Sequence, residues 1–217
     1  MRKELNIPAD WIERNSGDTK AFFKPGYEKV LRGPWAVPTK YGIPQVNRNK
    51  PNQADYKKVN VNHVNTKVAG LHGSENIFIH SATRNHGIDI AALEFALKSG
   101  VKVEEPIAVI GGRERPLIIF KKIPGMTLLE YLDRENNPGK RKKAIEGAVE
   151  QLKKLHAIGM VHGDAHCGNF IVSRKGNVSA IDLHPDKYKE TIDDFEWLMI
   201  DLHSRYAIKM ELPRGMK

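Results

Sequence analysis

Eight consecutive residues, His162-Gly163-Asp164-Ala165-His166-Cys167-Gly168-Asn169, restrict this chain more than any other stretch, and Asp182 follows thirteen residues after Asn169. The segment between reads as a hairpin. Phe170-Ile171-Val172 and Val178-Ser179-Ala180-Ile181 are apolar strands, and Ser173-Arg174-Lys175-Gly176-Asn177 is a turn whose Gly and Asn tolerate positive φ. Such a hairpin returns the chain beside its start and brings Asp182 to Asn169. An acid, an amide and a second acid so arranged suit phosphoryl transfer. One carboxylate, Asp164, orients the attacking hydroxyl and accepts its proton. Asn169 and Asp182 offer oxygen ligands for a magnesium ion that holds nucleotide phosphates.

His162 to Asn169 resembles the HGDxHxGN catalytic loop of aminoglycoside-phosphotransferase-like kinases. It is also similar to the loops of ubiquinone-biosynthesis kinase-like proteins, lipopolysaccharide kinases, RIO kinases and the small kinase of the tRNA threonylcarbamoyl-adenosine complex. The resemblance runs over 56–201 as an order of elements and is specific only over 155–182. It implies an α+β, two-lobed protein-kinase-like fold with a reduced C-terminal lobe. The expected parts are an irregular extension over 1–55, an N-lobe over 56–120 and a C-lobe over 121–217. It further implies ATP and Mg2+ as cofactors, with Asp164 as catalytic base, Asn169 and Asp182 as metal ligands, and His162 supporting the loop.

The chain has 217 residues, of which 40% are hydrophobic, enough for one ordinary domain or two small lobes. A formal net charge of +9 favours anionic partners: nucleotide, acidic protein, nucleic acid or a membrane face. No RNA- or DNA-binding motif accompanies the charge. The single cysteine, Cys167, excludes an internal disulfide and reads as a small buried filler in the loop. No apolar signal core follows Met1, and no apolar run reaches the ~20 residues that span a bilayer, so a cytoplasmic protein is expected.

Six prolines from Pro8 to Pro51 interrupt the first 55 residues, yet six aromatics make them too apolar for a free linker. The expectation is an irregular extension packed on the domain, with a partner-binding arm as the alternative. Strand-like alternation starts at Tyr56, and Gly70 and Gly73 lie where backbone could approach a phosphate, or in a plain hairpin turn. A helix is expected over 88–99. Its acidic candidates for holding a phosphate-binding lysine, as the resemblance implies, are Asp89 and Glu94. The lysine's own position, after Ile77-Phe78-Ile79, holds His80. Imidazole is only partly charged near neutrality, so Lys67 and Arg84 are the other candidate cations.

Strands at 107–110 and 116–120 lead to Lys121-Lys122-Ile123-Pro124-Gly125. This resembles the kinase hinge, where backbone at Lys121 and Ile123 would meet the adenine. A short helix over 127–132 follows. From Lys140 a long helix shows an apolar stripe at Ile145, Ala148, Val149, Leu152 and Leu155. In the last helix, expected over 193–208, Asp193 or Asp194 either accepts hydrogen bonds from the loop or caps the helix. Leu183-His184 replaces the usual Phe-Gly after the metal-binding acid, and no long activation segment follows.

The leading expectation is an ATP- and magnesium-dependent transfer of the γ-phosphate to a hydroxyl. The reduced second lobe points to a serine or threonine protein acceptor. His166, two residues after Asp164, points to a small molecule, and a lipopolysaccharide-type acceptor also stays open. The non-enzymatic alternative is a nucleotide-binding pseudokinase or an ATPase module of a complex.

Overall fold

A computed structural model of the chain describes residues 5–16, 19–29, 89–111, 116–184 and 193–206. For 38–39, 43–44, 56–61, 64–69 and 77–81 it gives the strand pairing alone. The strands and helices in chain order are β1 (Ile12–Ser16), β2 (Thr19–Phe23), β3 (Pro38–Thr39), β4 (Ile43–Pro44), β5 (Tyr56–Val61), β6 (Val64–Ala69), β7 (Ile77–Ser81), α1 (Ile90–Lys98), β8 (Glu105–Ile110), β9 (Leu117–Lys121), β10 (Met126–Thr127), α2 (Leu128–Arg134), α3 (Pro138–Ala157), β11 (Phe170–Val172), β12 (Val178–Ala180) and α4 (Asp194–Tyr206). The chain divides into two compact units: Met1–Glu94 with Glu105–Lys122, and Phe95–Glu104 with Ile123–Lys217.

The first unit is built on an antiparallel sheet in the order β1-β2-β8-β9-β7. Strand β8 is central, and its continuous apolar run Pro106 to Ile110 is buried throughout. Pro106 has no N–H to give to the ladder, and the register with β9 shifts between Pro106 and Ala108. The displaced Ile107 carbonyl is satisfied by the Lys24 N–H at 3.0 Å. On the other side β2 lays Ala21, Phe22 and Phe23 into the core. Residues 12–23 are therefore a paired hairpin, which corrects the irregular reading of 1–55 over that stretch. The prolines leave Ile12 to Phe23 untouched; β1 pairs with β2, and β2 pairs in turn with β8, with Ala21 opposite Ile110 and Phe23 opposite Ala108. The β5–β6 ribbon pairs antiparallel, with Lys67 opposite Lys58.

The second unit is mainly helical. Asn137 caps α3 by accepting from Lys140 N–H at 3.1 Å, and Pro138 opens it where a missing N–H costs nothing. The expected stripe is buried at Ile145, Ala148, Leu152 and Leu155, while Val149 is half-buried. Gln151 joins the buried face, and its Oε1 accepts from Lys102 N–H at 2.9 Å. A capping box starts α2: Thr127 Oγ1 accepts from Glu130 N–H, and Glu130 Oε2 accepts from Thr127 N–H, both at 3.1 Å. Beside these helices lies the sheet β10-β11-β12. Gly125 passes so close to β11 that a Cβ there would run into the Val172 carbonyl.

Candidate functional site

Helix α3 delivers the chain into the loop at 158–169. Gly163 takes φ +77°, a left-handed turn that a residue with a Cβ adopts at a cost. The loop then closes on itself. His166 N–H donates to the Asp164 carbonyl at 3.0 Å, and Asn169 N–H donates to the His166 carbonyl at 2.9 Å. Asn169 Nδ2 donates to the same Asp164 carbonyl at 2.9 Å. That bond fixes the amide's orientation and leaves Oδ1 as the atom suited to a cation.

The hairpin does what the spacing predicts. Its strands pair Phe170 with Ala180 and Val172 with Val178, and Ile181 N–H donates to the Asn169 carbonyl at 2.9 Å. Asn169 and Asp182 are thereby one residue from a shared backbone hydrogen bond. Asp182 sits at φ +56°, unusual for a residue with a side chain.

Buried carboxylates hold this loop from below. Asp194, 6% exposed, accepts from His162 N–H at 2.6 Å, Gly163 N–H at 2.9 Å and His156 Nε2 at 2.8 Å. Burial alone would raise its pKa, but these hydrogen bonds outweigh it and hold the carboxyl below its usual range. His156 is raised in turn, chiefly by its hydrogen bond to Asp194. Asp193 takes the other role foreseen for this pair, accepting Phe195 N–H at 3.0 Å at the start of α4. About two turns along α4, Asp201 accepts from Cys167 N–H at 2.8 Å and pairs with Arg205 at 2.6 Å. The Cys167 thiol is buried, and burial followed by its hydrogen bond to Asp201 pushes its pKa far up. It is no nucleophile at neutral pH. His162 is fully buried against Phe170, with ring centroids 5.4 Å apart. Neither ring nitrogen makes a hydrogen bond among the described residues, and burial drives the imidazole to its neutral form.

Sequence reasoning missed Glu104. It lies just before β8, is 6% exposed, and accepts from Asp182 N–H at 3.0 Å through Oε1. Burial first, and the Asp182 charge second, push its pKa up to about 8. The signal available was the pair Glu104-Glu105 set inside the largely apolar stretch Val101 to Ile110. His184, at the non-standard position after Asp182, is buried; its Nε2 lies 3.1 Å from Asp182 Oδ1 and its N–H donates to the His162 carbonyl at 2.7 Å.

In the first unit the acids of α1 have partners from the N-terminal segment. Asp89 accepts from Ala92 N–H at 2.9 Å and from Asn6 Nδ2 at 3.2 Å. Asp89 thus caps the helix, standing just before its first residue. Glu94 is the buried acid, bound by Trp11 Nε1 at 3.1 Å and facing Lys24 Nζ at 3.6 Å. Lys24 also pairs with Glu105 at 3.0 Å, so it is shared between two carboxylates. Lys121 ends β9, exposed, 3.5 Å from Glu105, and Ile123 follows half-exposed. His80 stands in β7 opposite Ile118. The side chains of His80 and Lys67 lie outside the described residues, as do Gly70, Gly73 and Arg84 entirely.

Among the described residues no three His, Cys, Asp or Glu side chains cluster as a ready metal cage. The Asn169 amide oxygen and the Asp182 carboxylate are hard oxygen donors, few in number. That set fits Mg2+, which keeps water and phosphate oxygens in its own coordination.

A loop with its acid and amide, a hairpin returning a second acid, and an acid on the next helix holding the loop backbone together make the candidate site of this mixed α+β chain. A family model described as lipopolysaccharide core biosynthesis protein (WaaY) matches residues 115–214. Among solved structures, the Cydia pomonella granulovirus kinase PK-1 is similar with a TM-score of 0.47 and 15% identity, over 60% of this chain and 52% of that one. The chain thus spans about half the length of that viral kinase. No curated protein sequence matches it significantly. No helix among the described residues is long and apolar enough to cross a membrane.

Proposed function

We propose that the protein transfers the γ-phosphate of ATP to a sugar hydroxyl of a lipopolysaccharide core. The observation that carries the transfer is a pair of hydrogen bonds: Asn169 Nδ2 donates to the Asp164 carbonyl, and the N–H of Ile181, next to Asp182, donates to the Asn169 carbonyl. The acceptor class is supported by the matched family, whose model spans the whole loop and Asp182. The net charge of +9 also suits an anionic glycolipid.

In this reading Asp164 aligns the acceptor hydroxyl and takes its proton as the oxygen attacks phosphorus and the bond to the ADP oxygen breaks. Asn169 and Asp182 would hold Mg2+, which neutralises charge on the phosphates. Asp194 and Asp201 keep the loop amides in place, so that Asp164 is oriented before substrate arrives. The phosphates' cation is assigned to His80, Lys67 or Arg84, and the adenine contact to backbone at Lys121 and Ile123.

The test is transfer of labelled γ-phosphate to purified lipopolysaccharide core and, in parallel, to protein acceptors. Asp164→Asn should abolish transfer and leave ATP affinity within a few fold. Asp182→Ala should remove most of the Mg-ATP-dependent rise in melting temperature, which at a hundredfold excess over Kd corresponds to ~2.7 kcal/mol. Labelling of protein with none of the glycolipid would replace the acceptor. A wild-type protein whose melting temperature ignores Mg-ATP would remove the whole reading.

A further inference from the structure

We propose that Glu104 is a positioning residue for Asp182. The inference rests on the phosphotransferase reading of the same site and adds a residue to it. Asp182 occupies a left-handed conformation, φ +56°, which favours glycine and which Asp adopts when local contacts hold it. The contact at its own amide is the Glu104 carboxyl, at 3.0 Å.

Glu104 can hold that amide because its backbone is registered to the hairpin. Val103 forms a parallel bridge with Ala180, and Ala180 N–H donates to the Lys102 carbonyl at 2.8 Å. Lys102 N–H is fixed in turn to the buried Gln151 of α3 at 2.9 Å. The short segment from Lys102 to Glu104 therefore ties α3, which leads into the Asp164 loop, to the end of β12, which leads into Asp182. The Glu104 side chain is 6% exposed, so water does not compete for the Asp182 amide. His184 Nε2 lies 3.1 Å from Asp182 Oδ1. The Glu104 contact at the amide is the one that sets the backbone turn of a proposed metal ligand.

Three variants separate this role from mere packing. Glu104→Gln keeps an oxygen acceptor at the same reach. Glu104→Asp withdraws the acceptor by one methylene and keeps the carboxyl group. Glu104→Leu removes it at similar volume. The readouts are the Mg2+ concentration giving half of the ATP-dependent melting shift, kcat and KM for ATP, and exchange of the Asp182 amide in ligand-free protein. Groups that orient a metal ligand typically change metal affinity by about 10- to 100-fold. Glu104→Leu and Glu104→Asp should therefore raise half-saturating Mg2+ at least tenfold, lower kcat more than they raise KM, and speed Asp182 exchange. Glu104→Gln should stay within about threefold of wild type on the same scale. Glu104→Asp with wild-type Mg2+ dependence and unchanged amide exchange overturns the proposal, whether or not Glu104→Leu folds. A wild type without any Mg2+ response instead brings down the phosphotransferase reading, and this role with it.

Discussion

Replacing Asp194 tests how the loop is held. Its carboxylate accepts two backbone N–H groups of the loop, at 2.6 and 2.9 Å, in a site only 6% exposed. In Asp194→Ala both donors stay buried without an acceptor. Hydrogen bonds to a charged group are worth about 1.5–3 kcal/mol each, so the loss is about 3–6 kcal/mol. That is a large part of the ~5–15 kcal/mol that keeps a domain folded. Asp194→Asn is the sharper probe. One oxygen remains, and the new NH2 faces a donor, so about half the loss, ~2–3 kcal/mol, is expected. With a urea slope of ~1–3 kcal/mol/M, the midpoint should fall by about 1–2 M with the slope unchanged. Turnover should fall with it, because Gly163 adjoins Asp164. A midpoint within about 0.3 M of wild type would show that water or another group satisfies these amides, and would falsify the anchoring argument.

Trp11→Phe removes the N–H bound to the buried Glu94 and should cost ~1–3 kcal/mol, with faster hydrogen exchange along α1, whereas Asn6→Ala at the exposed Asn6–Asp89 contact should cost under ~1 kcal/mol; equal losses would refute the distinction. Gly125→Ala drives a Cβ into the Val172 carbonyl at a backbone φ of +155°, so its melting temperature should fall by an amount worth ~1–3 kcal/mol. The His156–Asp194 pair should impose a pH dependence. His156 is raised, so its contribution is complete below the ordinary imidazole range and is lost as pH climbs through the raised value. Asp194 is lowered, so its contribution is lost only in acid. Melting curves of wild type and His156→Gln should therefore differ most at mildly acidic pH and converge on the alkaline side.

The parts legible in the sequence were those coded locally. Helix α3 announces itself by a stripe at i, i+3 and i+4, and the hairpin after Asn169 by two apolar triplets around a Gly-Asn turn. The juxtaposition of Asn169 with the residue before Asp182 was readable for the same reason, since it depends on one hairpin. The rest depends on distant partners. The strand Ile12–Ser16 reads IERNS, with a single apolar residue, and only its pairing with β2 makes it a strand. Asp89 and Glu94 could not be ranked from the helix alone, because Asn6, Trp11 and Lys24 decide their roles from more than sixty positions away. Glu104 was invisible because either acid of the pair Glu104-Glu105 reads as a solvated edge until the burial of Glu104 is known.

The attachment of the N-terminal segment also orders events in time. Trp11 and Glu94 are 83 residues apart, and Ala21 finds its place opposite Ile110 in β8. Closing loops of that length costs chain entropy before any contact rewards it, so such pairings form late in folding. During synthesis β1 and β2 emerge before β8, so β2 waits for that neighbour. Phe22 and Phe23 spend that interval in contact with solvent or with a chaperone, and the step that retires them is the arrival of β8. A hairpin made well before its partner strand is thus among the last parts of the sheet to become structure.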